Sequence, residues 1–163
     1  MLYFKPEQYL VIRTNQFYTI KEEARTSQFK YDALNAEQIS NQVSITAEQM
    51  WDHLSYFLDC IAPVADECGV NLAMHPDDPP MSPLMGMSRI MRNVLNFDRL
   101  LTLNQSKSNG IAFCQGCFAE MDIDLETTVN HFNNKIHYVH FRDVMGGPCD
   151  FYEVLHGAGQ TNL

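Results

Sequence analysis

Three short apolar runs, each preceded by a segment with helical periodicity, constrain this chain more than any other feature. They read VNLAMH, GIAFC and KIHYVHF, and they begin at Val70, Gly110 and Lys135. Runs of this length, bounded by Gly, Pro and Asn, are typical of buried strands. Helix and strand patterns that alternate through short loops indicate a parallel sheet with helices outside it. The sequence therefore predicts an α/β fold.

The first helical segment has clear start and stop signals. Thr46 and Gln49 form a capping-box pattern ahead of an apolar stripe that ends at Cys68. Gly69 follows the stripe and is a suitable residue to end the helix. Pro63 lies within the stripe and predicts a kink or a break at that point.

Two further helices are predicted before the second and third strands. The earlier one is expected to be capped by Ser88 and to carry Ile90 and Met91 on its apolar side. The later one is expected to begin at Asp122 or Asp124. Each helix precedes one predicted strand, so the chain carries about three helix–strand units.

Composition narrows the classes of function. The chain has 163 residues, 45% of them hydrophobic and 19% charged, which is typical of one folded domain. A net charge of −9 argues against a surface for nucleic acid or anionic lipid. No apolar run is long enough to span a membrane, and the opening residues do not resemble a signal peptide. Five cysteines at irregular spacings do not form a disulfide framework, so we expect a cytoplasmic protein.

The domain organisation divides near residue 44. Residues 1–43 have no clean apolar period, and we expect them to form an N-terminal arm or a divergent insertion. Residues 44–163 contain all the helix–strand signals and are predicted to form the folded domain.

Each predicted strand ends in a side chain that is able to bind metal. These residues are His75, Cys114 and His140. The carboxyl ends of parallel strands meet at one edge of a sheet, so the three side chains are expected to converge there. Two imidazoles and one thiolate suit Zn, Fe or Mn-like divalent ions. Taken singly, each residue has an ordinary structural alternative, such as a small buried cysteine.

Cys114 and Cys117 form a CxxC motif that occurs once. A closed structural zinc site would require a second pair of ligands. A redox pair would be expected at a helix start in an N-terminal unit, whereas this motif follows a strand deep in the chain. We therefore expect Cys114 to be a ligand and Cys117 to be a bystander.

Two charged residues near the strand ends each have a functional and a structural interpretation. Asp77 lies in the proline-stiffened HPDDPP loop beside His75, where it is either part of an acidic rim or a local cap. Arg142 lies two residues after His140 and therefore on the same face of the strand. Its guanidinium is suited to hold a substrate carboxylate, and equally suited to an ordinary ion pair.

These motifs resemble the mannonate dehydratase family. The segments AMHPDDPP, GIAFCQGCF, HYVHFRDV and FYEVLHGAG carry the resemblance, in order and at natural spacings, within residues 44–163. The resemblance implies a (β/α)8 TIM barrel and the dehydration of D-mannonate to 2-keto-3-deoxy-D-gluconate in glucuronate catabolism. It also implies a divalent metal, with manganese expected and iron as the alternative.

The resemblance places the metal ligands on His75, Cys114 and His140. The fourth ligand of the family, an Asp, falls on Asn162. The chemistry of the reaction makes Arg142 the candidate to hold the carboxylate of the sugar acid, and Asp77 is a second candidate for substrate binding. His156 is the candidate acid or base, because the pKa of histidine lies near neutral pH.

The length sets an expectation about completeness. A closed barrel uses about 250 residues, and the smallest use roughly 200. We therefore expect an incomplete barrel that is inactive as an isolated chain and acts as a lyase only when a second chain or a homo-oligomer completes it. The alternative is a truncated, non-catalytic fragment that binds metal or serves assembly. A third interpretation, independent of the family, is a small metal-binding α/β module.

Overall fold

The structure is a computed structural model that describes residues 14–19, 25–34 and 45–161. The helices are α1 Ala47–Cys68, α2 Val94–Leu103, α3 Gln115–Glu120 and α4 Leu125–Phe132, with 3-10 turns at Tyr31–Ala33 and Asn133–Lys135. The strands are β1 Thr14–Thr19, β2 Arg25–Lys30, β3 Leu72–Met74, β4 Asn109–Cys114, β5 Ile136–His140, β6 Asp143–Gly147 and β7 Asp150–Val154. In the described part of the chain, no helix combines the length and the apolarity needed to cross a membrane.

The three predicted strands form one parallel sheet, in the order β3-β4-β5. Strand β4 is central and all six of its residues are buried, as expected for a strand covered on both faces. Met74 pairs with Ile111, and Cys114 pairs with His140. The prediction of parallel strands whose carboxyl ends share one edge is therefore confirmed.

Helix α1 begins and ends where the sequence predicts. The Thr46 hydroxyl accepts a hydrogen bond from the Gln49 amide, and the Gln49 side chain accepts one from the Thr46 amide. Gly69 ends the helix with a φ of 66°, a conformation that glycine adopts without steric cost. The expectation of a break at Pro63 is wrong, because α1 runs through it. Pro63 faces solvent, so the carbonyl left without its usual partner has access to water.

The second helix begins later than predicted. Asn93, not Ser88, caps α2, and its side chain accepts a hydrogen bond from the Asn96 amide at 2.9 Å. The preceding residues are held in another way. The Met91 amide donates to the Asp77 carboxylate, and the Asp77 amide donates to the Met91 carbonyl, each at 2.8 Å. This pairing uses backbone groups that a helix starting at Ser88 would need.

The third helical region contains two helices. Asp124 caps α4, as one of the two predicted alternatives, and accepts a hydrogen bond from the Thr127 amide at 2.7 Å. Helix α3 was not predicted, and it starts directly after Cys114 at the end of β4. The CxxC motif therefore lies at a helix start, and the argument that it lacks this position is wrong.

Aromatic side chains dominate the core between the parallel sheet and its helices. Phe118 is fully buried and stacks on Phe113, with ring centroids 4.5 Å apart. Its ring also lies 5.1 Å from that of Phe97 and 6.3 Å from that of Phe132. Because Phe118 belongs to α3, this packing holds the segment that carries Cys117 against β4.

A second sheet lies outside the sequence prediction. It is antiparallel, with the order β1-β2-β7-β6. Phe29 on β2 is fully buried and stacks on Phe151 of β7 at 5.7 Å. Residues 25–34, expected to lie in an arm or insertion, thus contribute to a core cluster. The domain boundary at residue 44 stays a prediction, because residues 35–44 are outside the described part of the chain.

Asp143, at the start of β6, holds the last described turn of the chain. Its carboxylate accepts hydrogen bonds from the amides of Val144, Gly157 and Gly159 and from the Thr161 hydroxyl, at 2.8–3.1 Å. Burial opposes ionisation, but these hydrogen bonds lower the pKa of Asp143 on balance. The ionised carboxylate therefore stabilises the folded state.

We expect Asp143→Asn to lower the free energy of unfolding at pH 7 by about 1–3 kcal/mol, because hydrogen bonds to an ionised acceptor are lost. A carboxyl group with a lowered pKa stabilises the fold above its unfolded-state value, near 3.9, and loses this effect as the pH falls further. The difference between variant and wild type should therefore narrow below about pH 4. Urea unfolding at pH 7 and pH 3 measures this difference in the free energy of unfolding, and Asp150→Asn, at an exposed position, is the control. A difference that does not change with pH would contradict a stabilising role for the ionised carboxylate.

Truncating Phe118 tests the aromatic core. We expect Phe118→Ala to cost about 3–5 kcal/mol, because a fully buried ring is replaced by a cavity. Leu95→Ala is the matched control, since Leu95 is 77% exposed and should change the free energy of unfolding by less than about 0.5 kcal/mol. The denaturant midpoints of the two variants measure their stabilities. Equal losses of stability in Phe118→Ala and Leu95→Ala would rule out this aromatic core as the main source of stability.

Candidate metal centre

His75 follows the last residue of β3 and is oriented by the loop after it. Its Nδ1 lies 2.7 Å from the Pro76 carbonyl oxygen. A carbonyl only accepts hydrogen bonds, so Nδ1 carries the proton and Nε2 keeps its lone pair. Backbone carbonyls commonly orient metal-binding histidines in this way. His75 therefore presents Nε2 as a possible ligand.

Two cysteines complete a cluster of donors with His75. Cys114 ends β4 and Cys117 lies in the first turn of α3, and neither has any exposed surface. One ligand atom from each of the three residues lies within 4.8 Å of the other two. We refer to His75, Cys114 and Cys117 as the donor cluster. Ligand atoms on one tetrahedral ion lie roughly 3.3–3.8 Å apart, so small side-chain movements would let all three reach the same ion.

His140 lies beside the donor cluster. Its Nδ1 is 3.3 Å from Nε2 of His75, and the two rings are tilted with centroids 5.6 Å apart. The backbone register pairs His140 directly with Cys114 on the neighbouring strand. The structure thus brings the three predicted metal-site residues to one edge of the sheet. Their role as ligands stays a prediction.

Protonation in the donor cluster favours a thiolate at Cys114. A hydrogen bond from Cys117, opposed by burial and supported by a hydrogen bond with His75, lowers the pKa of Cys114. The same hydrogen bond and burial raise the pKa of Cys117. For His75, burial opposes protonation, but the hydrogen bond with Cys114 raises the pKa overall. The thiolate is the form that binds metal.

Arg142 is buried between the donor cluster and the second sheet. Its side chain is only 9% exposed. Nη1 lies 3.0 Å from Glu120 and 3.6 Å from Asp78, and Nε lies 3.1 Å from Glu153. Nη1 also donates a hydrogen bond to Cys117 Sγ at 3.4 Å. This geometry favours the ion-pair interpretation of Arg142 over a fork open to a substrate carboxylate.

Gly116 permits this arrangement. A Cβ at position 116 would lie 2.9 Å from Cγ of Arg142 and 3.1 Å from its Nη1, closer than side chains normally approach. Residue 116 must therefore be small, because the guanidinium and the aliphatic part of the Arg142 side chain occupy that space. The CxxC spacing alone did not indicate this requirement.

The chemistry of the donor set fits a divalent cation. Two buried sulfurs and an exposed imidazole converge at the edge of the sheet, with a second exposed imidazole beside them. Asp78 and Glu120 lie close to Cys117 and make its surroundings more negative. Burying negative groups together is costly unless positive charge balances them. Arg142 supplies one such charge, and a bound divalent ion would supply another.

Asp77 takes part in holding the loop that follows β3. Besides its pairing with Met91, its carboxylate forms an ion pair with Arg89 at 3.5 Å. Burial, opposed by the charge of Arg89, raises the pKa of Asp77. These contacts match the structural interpretation of Asp77, and contact with a substrate stays a prediction.

His156 lies on an open cleft that begins at the carboxyl edge of the parallel sheet. Its Nε2 is 3.1 Å from the Phe141 carbonyl oxygen, which leaves Nδ1 as the unprotonated nitrogen when the ring is neutral. The cleft has a volume of about 280 Å³ and is lined by His140, Phe141, Arg142, Asp143, Glu153, Val154 and His156. His140 thus lines this cleft and also lies next to His75 of the donor cluster.

Sequence reasoning missed several residues of this region. Cys117 was expected to be a bystander, although its CxxC spacing is also a chelating spacing. Glu120 and Glu153 had no local signal, because only the fold brings them to Arg142. Asn162, the expected fourth ligand, lies outside the described residues.

Comparison with known proteins gives a consistent result. A family model for D-mannonate dehydratase (UxuA) matches residues 13–163. "Mannonate dehydratase 2" of Halalkalibacterium halodurans is 42% identical over 125 residues, which are 73% of this chain and 36% of that protein. Mannonate dehydratase of Rhizobium meliloti is 35% identical over 132 residues, or 78% of this chain and 33% of that protein. The chain therefore spans about a third of the length of these relatives.

A solved structure supports the same relationship. The crystal structure of mannonate dehydratase from Streptococcus suis serotype 2 superposes with a TM-score of 0.79 at 28% identity. The match covers 93% of this chain and 47% of that one. The family match reaches into the N-terminal part that we expected to be an arm, in agreement with the core position of Phe29. The chain belongs to the D-mannonate dehydratase (UxuA) family, whose fold is a TIM barrel.

Proposed function

We propose that this chain takes part in the metal-assisted dehydration of D-mannonate to 2-keto-3-deoxy-D-gluconate. The observation that carries the proposal is that His75, Cys114 and His140 lie together at the carboxyl edge of the parallel sheet, next to an open cleft: His140 pairs with Cys114 in the strand register, and its Nδ1 is 3.3 Å from His75 Nε2. In TIM barrels this edge carries the active site. Family membership supports the choice of substrate.

The reaction removes a proton from carbon 2 of the sugar acid and hydroxide from carbon 3, and the enol product then becomes the 2-keto acid. A divalent metal at this site would act as a Lewis acid toward the negative charge that develops beside the carboxylate. His75, Cys114 and His140 are the residues that would hold it. Manganese is the first candidate and iron the second, as the family resemblance implies.

His156 is the residue we assign to proton transfer. Its Nε2 is held by the Phe141 carbonyl, and its ring packs on the Phe141 ring with centroids 4.7 Å apart. The fixed ring keeps Nδ1 available on the cleft that also contains His140. A neutral imidazole held in this way is able to take the carbon 2 proton, and the imidazolium that results is able to protonate the leaving hydroxide.

Arg142 and Asp77 are better explained as positioning residues than as substrate ligands. Arg142 already contacts Glu120, Asp78 and Glu153 and is almost completely buried. It acts through Cys117, to which it donates a hydrogen bond. Asp77 fixes the loop that orients His75.

Catalysis by a complete barrel would require strands beyond those described. Among the described residues, β3 and β5 are the edges of the parallel sheet. Tyr138, Val139 and Phe141, on and just after β5, are more than half exposed. Unpaired edges with exposed apolar side chains favour pairing with further strands. We propose that a second chain, or another copy of this one, supplies them; a non-catalytic assembly fragment is the alternative.

Activity of the isolated chain tests the proposed function. We expect the pure chain, given D-mannonate and Mn²⁺ under reducing conditions, to form no 2-keto product, because groups from several strands must be held in place together. Mixing it with a chain that carries the remaining barrel strands should produce turnover on the order of 1 per second or more. Detection of the 2-keto acid measures both cases.

Cysteine variants sharpen this test. In the mixture, Cys114→Ser should abolish most of the turnover, whereas Cys149→Ser should not, since Cys149 is exposed and belongs to the hairpin of β6 and β7. A folded, metal-loaded mixture without turnover would overturn the catalytic proposal in favour of the assembly fragment. Turnover by the chain alone would contradict the need for a partner.

Replacing Arg142 tests its role as a buried counter-charge. We expect Arg142→Met to lower the free energy of unfolding by about 3–5 kcal/mol, because Glu120 and Asp78 lose a buried counter-charge. Lys30→Met is the control, since its ion pair with Asp150 is exposed and should be worth less than about 1 kcal/mol. Chemical unfolding measures both. A variant with unchanged stability that raises KM for D-mannonate in the completed enzyme would instead support direct substrate binding.

A further inference from the structure

We propose that Cys117 is a second thiolate ligand of the metal centre, which then offers two sulfurs and two imidazole nitrogens. This donor set favours the binding of Zn²⁺ over that of Mn²⁺, the ion that the family resemblance alone implies. The inference rests on the proposed function only in requiring a metal at this site. It assigns a binding role to a residue that neither the sequence pattern nor the family resemblance selected.

The geometry supports this role. Ligand atoms of Cys117, Cys114 and His75 lie within 4.8 Å of one another. The two cysteines are separated by two residues, a spacing that lets both thiols of one turn face the same ion. His140 Nδ1 lies 3.3 Å from His75 Nε2, which is close to the separation of two nitrogen ligands on a tetrahedral ion. Three donors therefore lie within reach of one ion, and His140, next to His75, is the candidate for the fourth position of an S2N2 site.

The surroundings of Cys117 are polar. A cysteine that only fills space in a core has apolar neighbours. Cys117 instead accepts a hydrogen bond from the Arg142 guanidinium at 3.4 Å, although it is fully buried. In a metal-bound site, this contact would place a positive charge beside the coordinated sulfur. Arg142 is itself fixed by Glu120, Asp78 and Glu153, so the contact is held in place.

The second thiolate changes which ions bind well. Zn²⁺ is a borderline-soft ion that accepts tetrahedral S2N2 sites, whereas Mn²⁺ prefers oxygen ligands. Coordination through the Cys117 sulfur would release the thiol proton to solvent. Cys117 should therefore contribute more to the affinity for Zn²⁺ than to that for Mn²⁺.

The first experiment counts sulfur ligands in the full chain. The reduced protein is loaded with one equivalent of Zn²⁺ and studied by X-ray absorption spectroscopy. We expect two sulfurs at about 2.3 Å and nitrogens at about 2.0–2.1 Å. One sulfur would mean that Cys117 only donates a hydrogen bond to Cys114, and it would overturn the inference without the need for any variant.

The second experiment measures selectivity. We expect Cys117→Ser to weaken Zn²⁺ binding at least about 10-fold and to weaken Mn²⁺ binding much less. Competition with a chromophoric chelator gives both affinities, and thiolate-to-cobalt absorption of the Co²⁺-loaded protein should fall by about half. Cys68→Ser is the control, since Cys68 is exposed at the end of α1. Equal losses for the two ions, or unchanged cobalt absorption, would contradict the second thiolate.

The outcomes separate this inference from the proposed function. A wild-type site with one sulfur and two nitrogens would leave the proposed metal centre intact and remove only the role of Cys117. A reduced chain that binds neither Zn²⁺ nor Mn²⁺ would overturn both. If Cys117→Ser does not fold, the sulfur count of the wild-type protein still decides the question.

Discussion

The buried guanidinium of Arg142 is the interaction on which the rest of this site depends. It follows β5, and its partners belong to the loop after β3, to α3 and to β7. One side chain thus links the parallel sheet, the short helix with the second cysteine and the antiparallel sheet. Such a charge is stable in a protein interior only when several partners surround it. The positions of Asp78, Glu120 and Cys117 are therefore coupled through Arg142.

The parallel register supplies the second constraint. Cys114 and His140 are paired across β4 and β5, and His75 follows the neighbouring strand β3. Strand spacing of about 4.8 Å then places donors from adjacent strands within reach of one ion. Aromatic packing of Phe118 on Phe113 keeps α3, and with it Cys117, against the same end of the sheet. The proposed metal site at this edge would follow from ordinary β-sheet geometry.

The local signals that succeeded share a physical basis. The Thr46 capping box, the Asp124 cap and Gly69 were all predicted, because each satisfies backbone groups within a few residues of itself. The false Ser88 cap failed because Asp77, eleven positions earlier in the chain, takes the backbone groups of Met91. Pro63 did not break α1. Packing of the apolar face of the helix outweighs the loss of the one backbone hydrogen bond that proline cannot donate, and Pro63 itself lies on the exposed face.

The sequence alone determined the parallel α/β sheet and the three strand-end residues, because apolar periodicity and short loops are local properties. Only the tertiary structure decided the antiparallel sheet and the core position of Phe29, since strands β2 and β7 are more than a hundred residues apart. It also decided that Arg142 faces protein carboxylates and that Cys117 joins the donor cluster. These contacts join segments that are distant in the sequence. The protonation of the groups involved depends on their burial, which no local sequence pattern encodes.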